Sequence, residues 1–471
     1  MNESARFRVE KDSMGEIQVP EAALWGAQTQ RSLLHFNIGD DHFNSAFIHA
    51  FALVKKAAAL SNLELGALDD TQAALIVQAC DEICAGKHED QFPLSVWQTG
   101  SGTQTNMNVN EVIANRGNEL AGNARGSNTP LHPNDHVNKA QSSNDVFPTV
   151  MHVATMQALK VQLMPSLDVL LGTLAEKSAE FDGQIKSGRT HMMDATPVTL
   201  GQEFAAYHAQ IGYARKQLQE AQSAVAQLAI GGSAVGTGLN TDPRWAEMVA
   251  SHISALTSYE FVSADNKFMA LAGHEALVDL HGRLNLLSTA LYKMASDIRL
   301  MNSGPRCGLA EITIPANEPG SSIMPGKVNP TQVEALTMVC LRVMGNNSTV
   351  SMAGSQGQFQ LNVYKPLIIH TILDSIRLLS DAMTSFGEHC LAGIAPQSDN
   401  LARYVERSLM LVTALSPVIG YDQAAKAAKH ADENDMSLRE AVVALGLLSD
   451  AEFDARVDAR KMLFPFDNKT R

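Results

Sequence analysis

The 471-residue chain has little cysteine, few aromatic residues and a shortage of positive charge. Five cysteines is a sparse and odd number for this length, which speaks against a disulfide framework and for a reducing, cytoplasmic setting. Cys80 and Cys84 stand four apart on one expected helix; without a second pair nearby they read as two small core residues, not as a metal site. The 36 basic residues face 50 acidic ones, a net charge of −14, so nucleic acid and anionic membranes are not expected partners. A local basic pocket for a small anion stays open. No stretch approaches 18 consecutive apolar residues, so no membrane span is expected. The opening "MNESARFRVEKDSMGE" has no apolar run after its charges and carries Glu3, Glu10 and Asp12, which a transit segment avoids.

What the chain does have is helical periodicity. Leu277, Leu280, Leu284, Leu287, Leu291, Met294 and Ile298 step by three and four without a break. So do Ile369, Ile372, Ile376, Leu379, Met383, Phe386 and Cys390, and likewise Met156, Leu159, Leu163, Leu167, Leu170 and Leu174. Each stripe places apolar side chains on one helix face. Residues 199–230 and 330–350 read as a fourth and a fifth long helix. Helices of that length need long partners, so the expected fold is mainly α, with a central long five-helix bundle. Three segments are expected: 1–141 mixed and mostly helical, 142–395 the bundle, and 396–471 a small helical tail. Many helix positions that one layer cannot bury are small or apolar, which points to an oligomer.

"PGSSIMPGKVNP" (319–330) looks at first like a phosphate loop. Five residues rather than four separate Gly320 from Gly326, and Val328 rather than Ser or Thr follows Lys327, so a P-loop is excluded. "GSGTQT" (100–105) and "GTGLNT" (236–241) lack the third glycine of a dinucleotide fingerprint and read as turns. "NP" at 329–330 suggests an N-cap Asn followed by Pro at the first helical position. Two other polar runs share this grammar: "QSSNDVFP" (141–148) before Pro148, and "GRTHMMDATP" (188–197) leading through Thr196 and Pro197 into a helix. If the three converge, hydroxyls, amides and helix N-termini surround a small polyanion.

These stretches are the basis of a family resemblance. "GSSIMPGKVNP" resembles the signature of the fumarase/aspartase superfamily. "WQTGSGTQTNMNVNEV" (97–112), "HPNDHVNKAQSSNDVFPT" (132–149), "GRTHMMDATPVTLGQEF" (188–204), "GGSAVGTGLNT" (231–241) and "SGPRCGLAEITIPANEPGSS" (303–322) resemble class II fumarase segments in the family order. The likeness runs from "MGEIQVP" (14–20) to "GYDQAAKAAKHA" (420–431), nearly the whole chain. His191 in "GRTH", where aspartases typically have Gln, and "NPTQVE" (329–334) both favour fumarase over the aspartate ammonia-lyases.

The resemblance implies reversible hydration of fumarate to L-malate through an aci-carboxylate, without metal or organic cofactor. It also implies a homotetramer built from the bundles, with each active site shared between three subunits. By the same resemblance Ser321 maps to the base, His191 to the acid and Glu334 to the carboxylate that pairs with that histidine. Substrate contacts map to Ser101, Gly102 and Thr103, to Ser142, Ser143 and Asn144, to Thr190, and to Ser322, Lys327, Val328 and Asn329. "HPND", comprising His132, Pro133, Asn134 and Asp135, resembles a second dicarboxylate site. Bacterial members often carry Arg three residues before this histidine; here it is Thr129, which puts anion binding there in doubt. His132 and His136 are four apart, but Pro133 and the lack of a further ligand in phase argue against zinc. Met269 and Val333 also depart from the family pattern, at positions where Glu and Cys are common. A non-catalytic relative, as in lens crystallins of this superfamily, would be free to lose His191, Ser321, Lys327, Asn329 and Glu334; all five are present.

Overall fold

A computed structural model of the chain describes residues 6–465. They form two compact units, each built from several chain segments. One comprises the residues up to Met164 with Lys216–Leu286 and Arg342–Leu378; the other comprises Pro165–Arg215, Leu287–Leu341 and the residues from Leu379 on. The structure is mainly helical. Its long helices are Ser143–Ala158, which continues through the wide turn Leu159–Leu163 into Met164–Glu180, and Leu200–Val225, Glu275–Met301, Thr331–Gly354 and Lys365–His389.

The stripes read from the sequence do the packing. Leu277, Leu280, Leu284, Leu287, Leu291, Met294 and Ile298 are fully buried, as are Leu159, Leu163, Leu167, Leu170 and Leu174. Burying each such side chain stabilises the fold by roughly 1.5–3 kcal/mol. Polar contacts then fix which helices meet. In the first unit His281 Nε2 and Asn346 Nδ2 both lie 2.9 Å from Ser375 Oγ, joining three long helices. In the second unit Tyr207 Oη donates to Asp297 at 2.9 Å.

Helices Ser45–Glu64 and Asp70–Cys84 of the first unit start where their caps demand. Asn44 accepts from Phe47 N at 3.0 Å, and Asp69 accepts from Gln72 N at 2.8 Å. Phe43, Phe47 and Phe51 gather around Phe147, with ring centroids 5.5–6.1 Å from it. The C-terminal helices of the second unit enclose Leu415, Ala427, Leu438, Val442 and Phe453.

Four expectations change. "GRTHMMDATP" does not lead straight into a helix: Ile185–Thr190 and Met193–Thr199 pair as an antiparallel hairpin. The helix that follows is capped by Thr199, which accepts from Gln202 N at 2.9 Å, so Thr196 is a strand residue. Asn329 does not cap the helix that begins at Thr331, because its side chain is committed inside the preceding loop. Pro148 lies within its helix, which starts earlier at a capping box formed by Ser142 and Asp145. Cys80 is buried as expected, but Cys84 is exposed, and no metal-binding cluster occurs among the described residues. The stretch Ser143–Glu180 is long and apolar enough to cross a membrane by length and composition alone. The stripe within it, from Met156 to Leu174, is instead buried.

Candidate active site

In the first unit, two expected contact segments are brought together. Gly102, at φ 75°, adopts the left-handed backbone that turns the chain into the helix Thr103–Leu120. A Cβ at this position would fall within the Phe147 ring, so the glycine is needed for close approach. Ser101 Oγ and Thr103 Oγ1 lie 2.8 Å apart. One turn along, Asn106 Nδ2 donates to Ser143 Oγ at 3.2 Å, linking this helix to the second segment. There Ser142 accepts from Asn144 N at 3.2 Å, and Asn144 Nδ2 donates to Ala234 O at 2.8 Å. Ala234, at φ 67° and ψ −77°, is a strained position in the "GGSAVGTGLNT" turn.

Behind these groups Asp145 is fully buried and accepts from Ser142 N at 2.9 Å and Gly231 N at 3.0 Å. Burial pushes this carboxyl up to about 6, against the pull of its amide donors. Burial likewise pushes the Lys55 ammonium down to about 7.

The "HPND" segment of the same unit forms a single wide turn, Pro133–Val137. His132 Nδ1 accepts from Asn134 N and Asp135 N, each at 3.2 Å, and lies 3.3 Å from Asp135 Oδ2. That arrangement makes Nδ1 the acceptor for both amides.

In the second unit His191 and Met192 form the two-residue turn of the hairpin, at φ 56° and 64°. Both values suit a type I′ turn, which favours Asn-Gly rather than these residues. Thr190 and His191 are exposed, and no side-chain hydrogen bond or ion pair holds His191 among the described residues. The first strand of the hairpin is anchored from below. Arg189 donates to Glu311 Oε1 at 2.7 Å, and Lys186 Nζ lies 3.1 Å from Glu311 Oε2 and 2.6 Å from Glu203. Glu311 is fully buried between these two cations.

The loop Gly320–Pro330 is closed by its own polar groups. Gly320 N donates to Lys327 O at 2.8 Å, and Asn329 Nδ2 donates to Gly320 O at 2.6 Å. Lys327 Nζ donates to Asn329 Oδ1 at 2.7 Å. Ser321 Oγ accepts from Met324 N at 3.0 Å and Ile323 N at 3.3 Å. Ser322, Lys327 and Val328 are exposed. Glu334, in the first helical turn beyond, lies 3.6 Å from Arg299 Nη2. Within this unit no hydrogen bond or ion pair joins His191 to Ser321, Lys327, Asn329 or Glu334 among the described residues.

Two supporting groups escaped the sequence reading. Glu311 stood inside the motif "SGPRCGLAEI" without a role. Lys55 lies on the apolar face of its helix, four residues after Phe51, and that placement was the available signal.

This geometry meets a consistent set of similarities. The family model described as "Lyase" matches residues 15–345, and "Fumarase C C-terminus" matches residues 411–463. A Pseudomonas syringae pv. tomato protein named "Fumarate hydratase class II" is 58% identical over 456 residues, 97% of this chain and 98% of its own length. The chain belongs to the class II fumarases. A class II fumarase of the same name from Thermosynechococcus vestitus is also 58% identical, again over 97% of this chain and 98% of its own. The crystal structure of class II fumarase from Schistosoma mansoni superposes with a TM-score of 0.96 at 45% identity, covering 98% of this chain and all of that one. A structure titled fumarate lyase:delta crystallin from Brucella melitensis, bound to cobalt, gives 0.94 at 41% identity over 98% of this chain and all of that one. The segments that resemble class II fumarases form loops, turns, the hairpin Ile185–Thr199 and the first turns of helices.

Proposed function

We propose that the chain interconverts fumarate and L-malate by anti addition and removal of water, with Ser321 as base and His191 as acid. Starting from L-malate, Ser321, as its alkoxide, takes the proton next to the distal carboxylate. That carboxylate becomes a dianionic aci-form. His191 then protonates the departing hydroxyl, which leaves as water. The developing charge is the main electrostatic load, and an exposed ammonium at Lys327 beside the Asn329 amide suits it. Ser101, Gly102, Thr103, Ser142, Ser143, Asn144, Thr190, Ser322 and Val328 hold the dicarboxylate by hydroxyl and amide donors. Glu334 serves the histidine.

The observation that carries the activity is near-full-length identity of 58% to proteins named class II fumarate hydratase. A tetramer whose sites draw on three subunits is supported by what one chain leaves unjoined: His191 has no side-chain partner among the described residues, and Glu334 faces Arg299. Exposed Met338, Leu341 and Met352 on the long helix Thr331–Gly354 fit the same reading. We place the enzyme in the cytoplasm and the second dicarboxylate site at His132, Pro133, Asn134 and Asp135. The Asp135 carboxylate and the absence of a cation at Thr129 make that site the weaker one.

The test is direct. Fumarate absorbance is expected to grow with L-malate and not with L-aspartate; the reverse result makes the chain an ammonia-lyase. Ser321→Ala is expected to lower kcat by about 10²–10⁴-fold with oligomer size unchanged. Full activity in that variant would assign the base elsewhere.

A further inference from the structure

The segment Ser142–Asn144 stands on a polar network that none of the roles above uses. Its centre is Lys55, fully buried in the helix Ser45–Glu64. Lys55 Nζ donates to Asn138 Oδ1 at 3.0 Å and to Gln141 Oε1 at 2.9 Å. Both acceptors are neutral amides. The Asp145 carboxylate attracts Lys55 through space, but its hydrogen bonds go to the amides of Ser142 and Gly231. Burying an ammonium in this way is costly, and an apolar residue of similar volume would fill the space. What the cation supplies is direction.

Asn138 Oδ1 also accepts from Asn106 Nδ2 at 3.1 Å and Asn110 Nδ2 at 3.0 Å, while Asn138 Nδ2 donates to Gln141 O at 3.1 Å. Swapping its oxygen and nitrogen would turn an NH2 toward three donors, one of them charged. The orientation is therefore locked. Asn106 Nδ2 has two hydrogens: one goes to Asn138, the other to Ser143 Oγ. Ser143 Oγ is thus an acceptor toward the protein, and its own proton remains to be donated outward. Gln141 adds a brace: its Nε2 donates to Val137 O at 3.0 Å and Lys139 O at 3.1 Å, across Ala140 at φ 63°.

We infer that Lys55 is a positioning residue for dicarboxylate binding, which acts through Asn138 and Asn106 to make the Ser143 hydroxyl a donor to the substrate. The inference rests on the reading that Ser143 touches substrate. A double-mutant cycle separates the two ideas, with KM and kcat for L-malate measured on the oligomer for Ser143→Ala, Lys55→Met and the pair. Each single variant is expected to raise KM about tenfold, the scale of one hydrogen bond to a charged group, with kcat nearly unchanged. The pair is expected to be no worse than Ser143→Ala alone, which a general loss of packing would not produce. An unchanged KM in Ser143→Ala overturns the substrate contact and this inference with it. A raised KM in Ser143→Ala that Lys55→Met multiplies further overturns the relay alone. Should Lys55→Met fail to fold, Asn106→Ala cuts the same relay without removing a charge. In its cycle with Ser143→Ala, non-additivity supports the inference and additivity overturns it.

Discussion

Asn329 Nδ2 donates to the Gly320 carbonyl at 2.6 Å, so the two ends of the Ser321 loop are tied by one side chain. The same amide accepts from Lys327 on its oxygen. Asn329→Ala removes both contacts, leaving the proposed base and the ammonium on a loop closed only by the Gly320 N to Lys327 O bond. It is expected to lower kcat by about 10²-fold with little change in Tm, since little is buried there. Steady-state kinetics beside a thermal melt checks this; a fall in Tm with unchanged kcat would assign Asn329 to stability instead.

Gly102 lies against the Phe147 ring in the left-handed region. Gly102→Ala combines an overpacked contact with a strained φ, each costing about 1–2 kcal/mol. The variant is expected to melt several degrees lower and to bind L-malate less tightly, because Ser101 and Thr103 shift with it. Differential scanning calorimetry and KM read the two effects.

The long stripes were legible because helix packing has a strict period and the buried face is predominantly apolar. The loops were legible only as motifs. "GRTHMMDATP" was read as a polar run ahead of a helix, since Met193–Thr199 has no clean alternation and its Pro197 argues against a strand. The structure pairs it through a register shift between Ser187 and Arg189, which a period-two template does not match. Asn329 shows the same limit: "NP" is a capping signal, but capping and loop closure compete for one carboxamide, and the sequence does not say which wins. Lys55 and Lys56 are adjacent and chemically identical, yet one is fully buried and the other pairs with Asp81 at 2.6 Å. Only helical phase distinguishes them.

Met192 holds φ 64° at the second position of the hairpin turn, where glycine is strongly favoured. Met192→Gly is expected to raise stability by roughly 1 kcal/mol, the cost of a left-handed non-glycine residue. Urea melts of the two proteins give the sign. A loss of stability would mean that the Met192 side chain carries contacts in the assembled protein.

Glu82 receives Arg116 through Nε at 2.6 Å and Nη2 at 2.9 Å, with His88 Nε2 at 2.9 Å. The guanidinium is the main cause that lowers this carboxyl from 4.5 to about 2. Because the folded-state value is depressed, the pair stabilises the fold above about pH 4.5, and that contribution fades as pH falls toward about 2. Glu82→Gln is expected to lower stability at neutral pH and to flatten its decline over this acid window. Denaturation midpoints measured across the window test both statements; an unchanged slope would clear Glu82 of the acid sensitivity.

The two amides on Ser321 Oγ carry a consequence for the proposed base. Met324 N and Ile323 N already point at this oxygen while it is neutral. Their placement needs no revision once a negative charge forms on it, so the turn that shapes the loop also serves as a fixed solvation shell. Deprotonating a serine in water requires the liquid to reorient around the new anion. Here that reorganisation was completed when the chain folded.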